Sequence, residues 1–437
     1  MSDQESKIPT HRLSRISQFA SLATRIGGNV VAEGTKQWLK GERPQAKDLL
    51  LTPSNIKRVA DQLAHLRGAA MKVGQMLSMD SGDLLSPELT EILARLRSDA
   101  NPMLSKQLNG ALEQGLGVNW KQEFLSFNFK PIASASIGQV HQAYTDDGEK
   151  IAVKVQYPSI RNSIDSDVDN VATLLNIVGV IPKDIDVKSL LEEAKKQLHA
   201  EANYQLECHY LTRYKAHLDG NPSFIVPKAY SNLSSETVLT MEYVEGETIE
   251  TLIEAPQVLR DRVMRSLLEL LFAELFEFQL VQTDPNFANY LYNHQESKVV
   301  LLDFGATREY SDQISTGYQN AFRAVIEDDH RSLESALTQI GFFSQTIVES
   351  QKQAILDLVS LACEPMRHQG CYDFGQSDLA NKIRQQGTAL SLQENYWHTP
   401  PIDAIFLHRK IGGLYLLAAK LKARIDIQSL VMPYLKM

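Results

Sequence analysis

The run Val299-Val300-Leu301-Leu302-Asp303-Phe304-Gly305 constrains the fold of this chain most, because four apolar residues read as a strand and an acid stands at its end. Asp-Phe-Gly alone is a common turn. Its setting narrows the reading: Asn289 lies fourteen residues upstream, closing the stretch Asp284-Pro285-Asn286-Phe287-Ala288-Asn289, and that step suits a hairpin that brings both segments to one pocket. Earlier still, Ile151-Ala152-Val153-Lys154-Val155 reads as a strand after the turn Asp146-Asp147-Gly148, so a lysine rides on a sheet. The order implies a small β-rich lobe followed by a helical lobe, joined near residues 242–246.

The flanking pattern agrees. Ile132, Ile137, Val140 and Tyr144 alternate with polar residues. Helical periodicity then covers residues 165–181 and 187–216, and strands return at 224–226 and 238–242. After Gly246 the chain reads as helical except at 289–291 and 299–302. Ahead of the sheet, residues 56–77 and the segment opened by Ser86-Pro87-Glu88-Leu89 read as helices, the latter with an N-cap and a first-turn proline. The first of these carries Lys72-Val73-Gly74-Gln75, which in isolation reads as a helix with one lysine and a glycine for close packing. Residues 12–31 form a modest basic amphipathic helix, read as packed on its own domain, with an anionic membrane surface as the alternative. Residues 41–53 are a polar linker.

A length of 437 residues allows two to three domains, and 43% hydrophobic with 22% charged residues is an ordinary globular balance. A formal charge of −9 argues against a basic nucleic-acid-binding surface. Cys208, Cys363 and Cys371 show no zinc or disulfide spacing, which fits a reducing compartment. No signal-like segment opens the sequence, and no apolar run reaches the ~18–20 residues of a membrane span. The expected location is cytoplasmic, with any membrane contact peripheral at the inner face.

Phosphoryl transfer needs little covalent chemistry from a protein. It needs a loop over the phosphates, a lysine on them, Mg²⁺ held by an Asp and an Asn, and an Asp near the nucleophile. Lys154 has the strand context of the lysine that meets the α/β-phosphates, and a glutamate on a following helix must hold it. Glu207 is placed for that role. Glu201 lies six residues earlier, about 600° around a helix, so the two acids do not share a face and should have separate partners, Lys154 for Glu207 and Lys72 for Glu201. Asp303 and Asn289 are the metal candidates and Asp284 the group beside the nucleophile. The covering loop is Ala133-Ser134-Ala135-Ser136-Ile137-Gly138, where alanine disfavours the positive φ angles by which glycines wrap phosphates.

Together, Lys72/Gln75, residues 131–141, Lys154, Glu201/Glu207, Asp284/Asn289 and Asp303 resemble the UbiB (AarF) family of atypical protein-kinase-like proteins, with the motifs in order over residues 67–308. The resemblance implies an α+β, bilobal protein-kinase-like fold with a helical N-terminal extension and a predominantly helical C-lobe. The expected division is a basic helix and linker over 1–52, the extension over 53–120, the N-lobe over 121–245 and the C-lobe over 246–437. It further implies ATP or ADP with Mg²⁺, and a nucleotide site lined by Ala133, Ser134, Ala135, Ser136, Lys154, Lys72, Gln75, Glu201, Met241 and Tyr243. The Lys-x-Gly-Gln helices are expected to close over that site, where a protein kinase seats its peptide.

Two departures stand out. The family's Glu-x-Asp partner of Lys72 here reads Glu201 and Asn203, and its D-P-H-P-G-N loop has Asn286, Phe287 and Ala288 inside. No A-P-E follows Asp303. The implied activity is a kinase or ATPase acting on a small or lipid-like ligand such as a quinone precursor, in company with quinone-biosynthesis enzymes. The competing implications are a nucleotide-sensing pseudokinase scaffold and a protein kinase.

Overall fold

A computed structural model of the chain describes residues 69–70, 72–73, 103–177, 187–343, 347–393 and 400–435. The expected helix at 12–31, the linker at 41–53, Gln75 and the helix after Ser86 lie outside the described residues. In chain order the elements are α1 (Ser105–Leu116), β1 (Ser126–Phe127), β2 (Ala133–Ser134), β3 (Gly138–Tyr144), β4 (Lys150–Gln156), α2 (Ile160–Ile177), α3 (Val187–Glu201), α4 (Tyr204–His217), β5 (Phe224–Ile225) and β6 (Val238–Glu242). They continue with β7 (Glu247–Thr248), α5 (Gln257–Ala273), β8 (Leu280–Gln282), β9 (Tyr290–Asn293), β10 (Lys298–Leu301), β11 (Thr307–Glu309), α6 (Asp312–Ile326), α7 (His330–Ile340) and α8 (Glu349–Ala362). The last are α9 (Glu364–Arg367), β12 (Tyr372–Asp373), α10 (Leu379–Gln393), α11 (Ile402–Lys420), β13 (Arg424–Ile425) and α12 (Ile427–Leu435). Two compact units emerge: Met1–Cys208 with Ala229–Tyr243, and His209–Lys228 with Val244–Met437.

The first unit is built on an antiparallel sheet in the order β1-β3-β4-β6, with β2 also on β3. Strand alternation divides its faces. Ala143, Ile151, Val153 and Val155 pack with Leu108 and Leu112 of α1, Trp120, Phe124, Leu233 and Val238 in one core, each Val, Leu, Ile or Phe contributing about 1.5–3 kcal/mol when fully buried. The opposite face carries Lys154, and the register sets Val140 and Leu239 beside it. Gly138 is required at the start of β3, since a Cβ there would lie 2.4 Å from the Val155 carbonyl oxygen and 3.0 Å from the Tyr204 hydroxyl. The helical stretch expected over 187–216 is interrupted: α3 ends at Glu201 and α4 begins at Tyr204. Asn203 caps the new helix, its Oδ1 accepting from Leu206 N at 3.3 Å. Periodicity runs through this break because both helices bury apolar residues at helical spacing.

The second unit is mainly helical but holds more strand than the sequence pattern suggests. Strand β5 pairs in parallel with β10 here, Phe224 opposite Val299. The apolar run from 267 to 281 is not one helix: α5 widens into a π turn over Glu274–Phe278, Gln279 takes a positive φ of 51°, and the chain leaves as β8. Pairs and triplets such as β7, β8 and β11 are too short to show a period of two, so they escape a sequence reading. Helix α11 buries Ala404, Phe406, Leu407, Leu414, Leu417 and Ala418. Among the described residues no helix is long and apolar enough to cross a membrane.

Candidate functional site

In the first unit, β4 presents Lys154 and the first turn of α4 presents Glu207. The ammonium Nζ donates to both carboxylate oxygens, at 2.8 Å and 2.9 Å, with the side chains 10% and 2% exposed. The Tyr204 ring covers the pair, its centroid 4.9 Å from Nζ. Separating such a pair in a buried medium is costly. Lys72, itself buried, forms an ion pair with Glu201. The two acids therefore do have different lysines. The reason is the break at Ala202 and Asn203 rather than the 600° turn of a continuous helix, since α3 ends with Glu201 and a new helix carries Glu207. Asn203 is occupied with capping α4, a task for which asparagine and aspartate serve equally well.

The same sheet carries other nucleotide-site candidates. Met241 pairs with Ala152 in register. Tyr243 donates its N–H to the Lys150 carbonyl at 3.1 Å, and its ring lies 3.8 Å from Lys150 Nζ. Ala133 sits opposite Val140 and Ser134 opposite Gln139, after which Ala135 N donates to the Gly138 carbonyl at 2.9 Å and turns the chain through Ser136. No residue from Ala133 to Gly138 has a positive φ, as alanine and serine prefer. Beneath this loop, Met103 N donates to Gln139 Oε1 at 2.9 Å, Gln139 Nε2 donates to His141 Nε2 at 2.8 Å, and His141 Nδ1 donates to the Asn128 carbonyl at 2.9 Å. This chain of bonds selects the neutral Nδ1–H tautomer, and burial pushes the His141 pKa down to about 4.

In the second unit, two antiparallel pairings assemble the acids. Strands β9 and β10 pair Tyr290 with Leu301, and Leu302 N donates to the Asn289 carbonyl at 3.1 Å, so Asn289 and Asp303 become neighbours across a hairpin. Strand β8 pairs with β11, and Thr283 N and Oγ1 both donate to the Ala306 carbonyl, at 3.1 Å and 2.7 Å, which anchors the residue before Asp284. Asp303 Oδ1 accepts from Gly305 N at 2.9 Å in a tight turn, while Phe304 is buried with its ring 4.7 Å from that of Tyr214. Within the loop, Asn286 Oδ1 accepts from Ala288 N at 3.2 Å and caps a short turn over Phe287–Asn289. Asn289 Nδ2 then donates to Asp284 Oδ2 at 3.2 Å. The local sequence thus has its own way of closing the loop.

Sequence reasoning missed the support from α11. Arg409 Nη2 donates to Asp284 Oδ1 at 3.0 Å. The buried Lys410 Nζ donates to Gln282 Oε1 at 3.1 Å and to the Tyr290 hydroxyl at 2.9 Å, and lies 3.5 Å from Glu274 Oε2. Glu274 in turn accepts from the Tyr214 hydroxyl at 2.8 Å, and burial raises its pKa. Gly413 packs against Pro285, where a Cβ would come within 2.2 Å of the Pro285 Cβ. Farther along the helix, Asp403 accepts from Arg308 Nη2 at 2.9 Å, just after Gly305. The available signal was His408-Arg409-Lys410 and Gly412-Gly413 inside a mostly apolar helix, where buried cations must have partners.

Comparisons with known proteins identify the family and the fold. The family model described as ABC1 atypical kinase-like domain matches residues 95–337, reaching beyond Tyr310. "Atypical kinase COQ8, mitochondrial" of Saccharomyces cerevisiae is 34% identical over 429 residues, covering 98% of this chain and 85% of the yeast protein. "Atypical kinase COQ8B, mitochondrial" of Rattus norvegicus is 35% identical, covering 98% of this chain and 81% of its own length. Among solved structures, the Rv3197 protein of Mycobacterium tuberculosis, determined with erythromycin, shares the fold with a TM-score of 0.59 at 23% identity, covering 86% of this chain and 95% of that one. The chain belongs to the ABC1 (UbiB/AarF) family of atypical kinase-like enzymes.

Proposed function

We propose that the chain binds ATP or ADP with Mg²⁺ and hydrolyses ATP, coupled to a small or lipid-like ligand of ubiquinone or other isoprenoid-lipid metabolism, rather than phosphorylating proteins. The observation that carries the reading is the buried, two-point Lys154–Glu207 pair. A lysine held in this way has a fixed direction, which is what a phosphate-binding ammonium needs. The kinase-family membership and the COQ8 relatives support the activity class and the quinone pathway.

The donor set suits Mg²⁺. Asp303 offers a carboxylate and Asn289 an amide oxygen, both hard ligands, and Mg²⁺ commonly takes one or two such groups together with phosphate oxygens and waters. When bound, the ion would neutralise charge on the phosphates. Asp284 accepts a hydrogen bond from the attacking water and takes its proton as the new P–O bond forms and the bond to the ADP oxygen breaks. Lys154 orients the phosphates and Glu207 holds Lys154. Lys72, paired with Glu201, belongs to the Lys-x-Gly-Gln lid that keeps peptide substrates out. Enzymes of quinone biosynthesis and a peripheral membrane surface are the fitting partners for a lipid-like ligand.

The test is a purified Asp303→Asn variant. Weaker Mg²⁺-nucleotide binding and loss of hydrolysis are expected; unchanged affinity and rate would sink the metal assignment.

A further inference from the structure

Asp284 is held from a helix 125 residues away in sequence. Its two oxygens have two different donors: Arg409 Nη2 on Oδ1 at 3.0 Å and Asn289 Nδ2 on Oδ2 at 3.2 Å. Arg409 and Asp284 are 14% and 21% exposed, so water competes little for the bond. A carboxylate turns about two torsions, and donors on both oxygens fix both. The backbone beneath it is fixed as well, because Pro285 is pinned by its ring and pressed by Gly413.

These contacts come from one strip of α11. At about 100° per residue, Arg409, Lys410 and Gly413 fall within an arc of about 100°. They touch Asp284, the strands on either side of its loop through Gln282 and Tyr290, and Pro285. A planar guanidinium suits this position, since it offers fixed donor directions that a lysine ammonium does not.

We propose that Arg409 is the positioning residue for Asp284, the α11 side chain that sets which carboxylate oxygen faces the attacking water or hydroxyl. This rests on the reading of Asp284 given above. In this reading Arg409 acts through Asp284.

The experiment combines steady-state Mg-ATP hydrolysis with amide hydrogen exchange on the nucleotide-free full chain, for wild type, Arg409→Gln, Arg409→Lys, Asp284→Asn and the Asp284→Asn/Arg409→Gln double variant. Arg409→Gln is expected to lower kcat about tenfold to hundredfold, with KM for ATP within about twofold. Arg409→Lys is expected to recover part of that loss. Adding Arg409→Gln to Asp284→Asn should cost nothing more. A further loss of equal size in the Asp284→Asn background would show that Arg409 acts elsewhere, and overturns the proposal. Wild-type turnover by Asp284→Asn would remove the reading of Asp284 itself, whereas a reduced Asp284→Asn beside a normal Arg409→Gln removes only the present inference. Exchange decides independently of turnover: the peptide over residues 283–289 should exchange about tenfold faster in Arg409→Gln, with β9 and β10 unchanged. Equal rates there, or a rise spread over the whole second unit, overturn the assignment, and Arg409→Lys provides the same comparison if Arg409→Gln does not fold.

Discussion

Gly412 and Gly413 are adjacent in the interior of α11, yet replacing each by alanine should have opposite consequences. A Cβ on Gly412 meets nothing within 4 Å, while a Cβ on Gly413 would lie 2.2 Å from the Pro285 Cβ. Both substitutions gain about 0.8–1.0 kcal/mol of helix propensity. Only Gly413→Ala must also open a gap of about 1.2 Å to reach an ordinary contact, and overpacking of that kind costs about 1–3 kcal/mol. The propensity gain cancels in the comparison, so the two variants should differ by about 1–3 kcal/mol. At about 2–4 °C per kcal/mol for a unit of this size, Gly413→Ala should melt about 2–12 °C below Gly412→Ala. The displaced residue is Pro285, next to Asp284, and a misplacement of about 1 Å at a reacting group costs up to about a hundredfold in rate. Differential scanning calorimetry and Mg-ATP turnover on the two proteins provide the check. If they melt within a degree of one another and turn over ATP equally, then α11 does not press on the Asp284 loop as described.

The other expectations concern the first unit. Lys154→Met leaves the Glu207 carboxylate buried without its ammonium and should destabilise the protein by about 3–5 kcal/mol in urea unfolding, with Lys154→Met/Glu207→Leu recovering much of the loss; an unchanged midpoint in the single variant would contradict the pairing. His141, held neutral by burial, has a pKa of about 4 in the folded protein against 6.5 ordinarily. The unfolded chain therefore takes up a proton below pH 6.5 that the folded protein refuses until about pH 4, so stability is greatest above 6.5 and falls by about 3 kcal/mol across that window. The measure is the difference in pH slope between wild type and His141→Gln. Identical slopes from pH 4 to 6.5 would refute the assignment.

Much of the architecture is visible in local pattern. Alternation around Gly138–Tyr144 and Lys150–Gln156, with a turn at Gly148, specifies a hairpin that places Lys154 on the face opposite Ile151 and Val153. The apolar strand before Asp303 and the short step from Asn289 specify a second. These signals lie within a few residues of the structure they direct, and side-chain period and turn chemistry act at that range. The order of the motifs then carries the family and its fold.

Tertiary packing decides the rest. The strand at Phe224 joins β10 in parallel, a choice that two residues cannot encode. The helix break after Glu201 depends on Asn203 capping α4 and on the Tyr204 N–H donating to the Glu236 carbonyl at 3.1 Å, a partner far along the chain. Arg409 reads as a surface cation until α11 packs, when its charge must find a carboxylate and Asp284 is within reach. Sequence by itself determined which residues could bear the chemistry, because residue type and local period suffice for that. Only the folded chain decided what holds them in place, because burial removes water as the alternative partner and makes distant side chains satisfy one another.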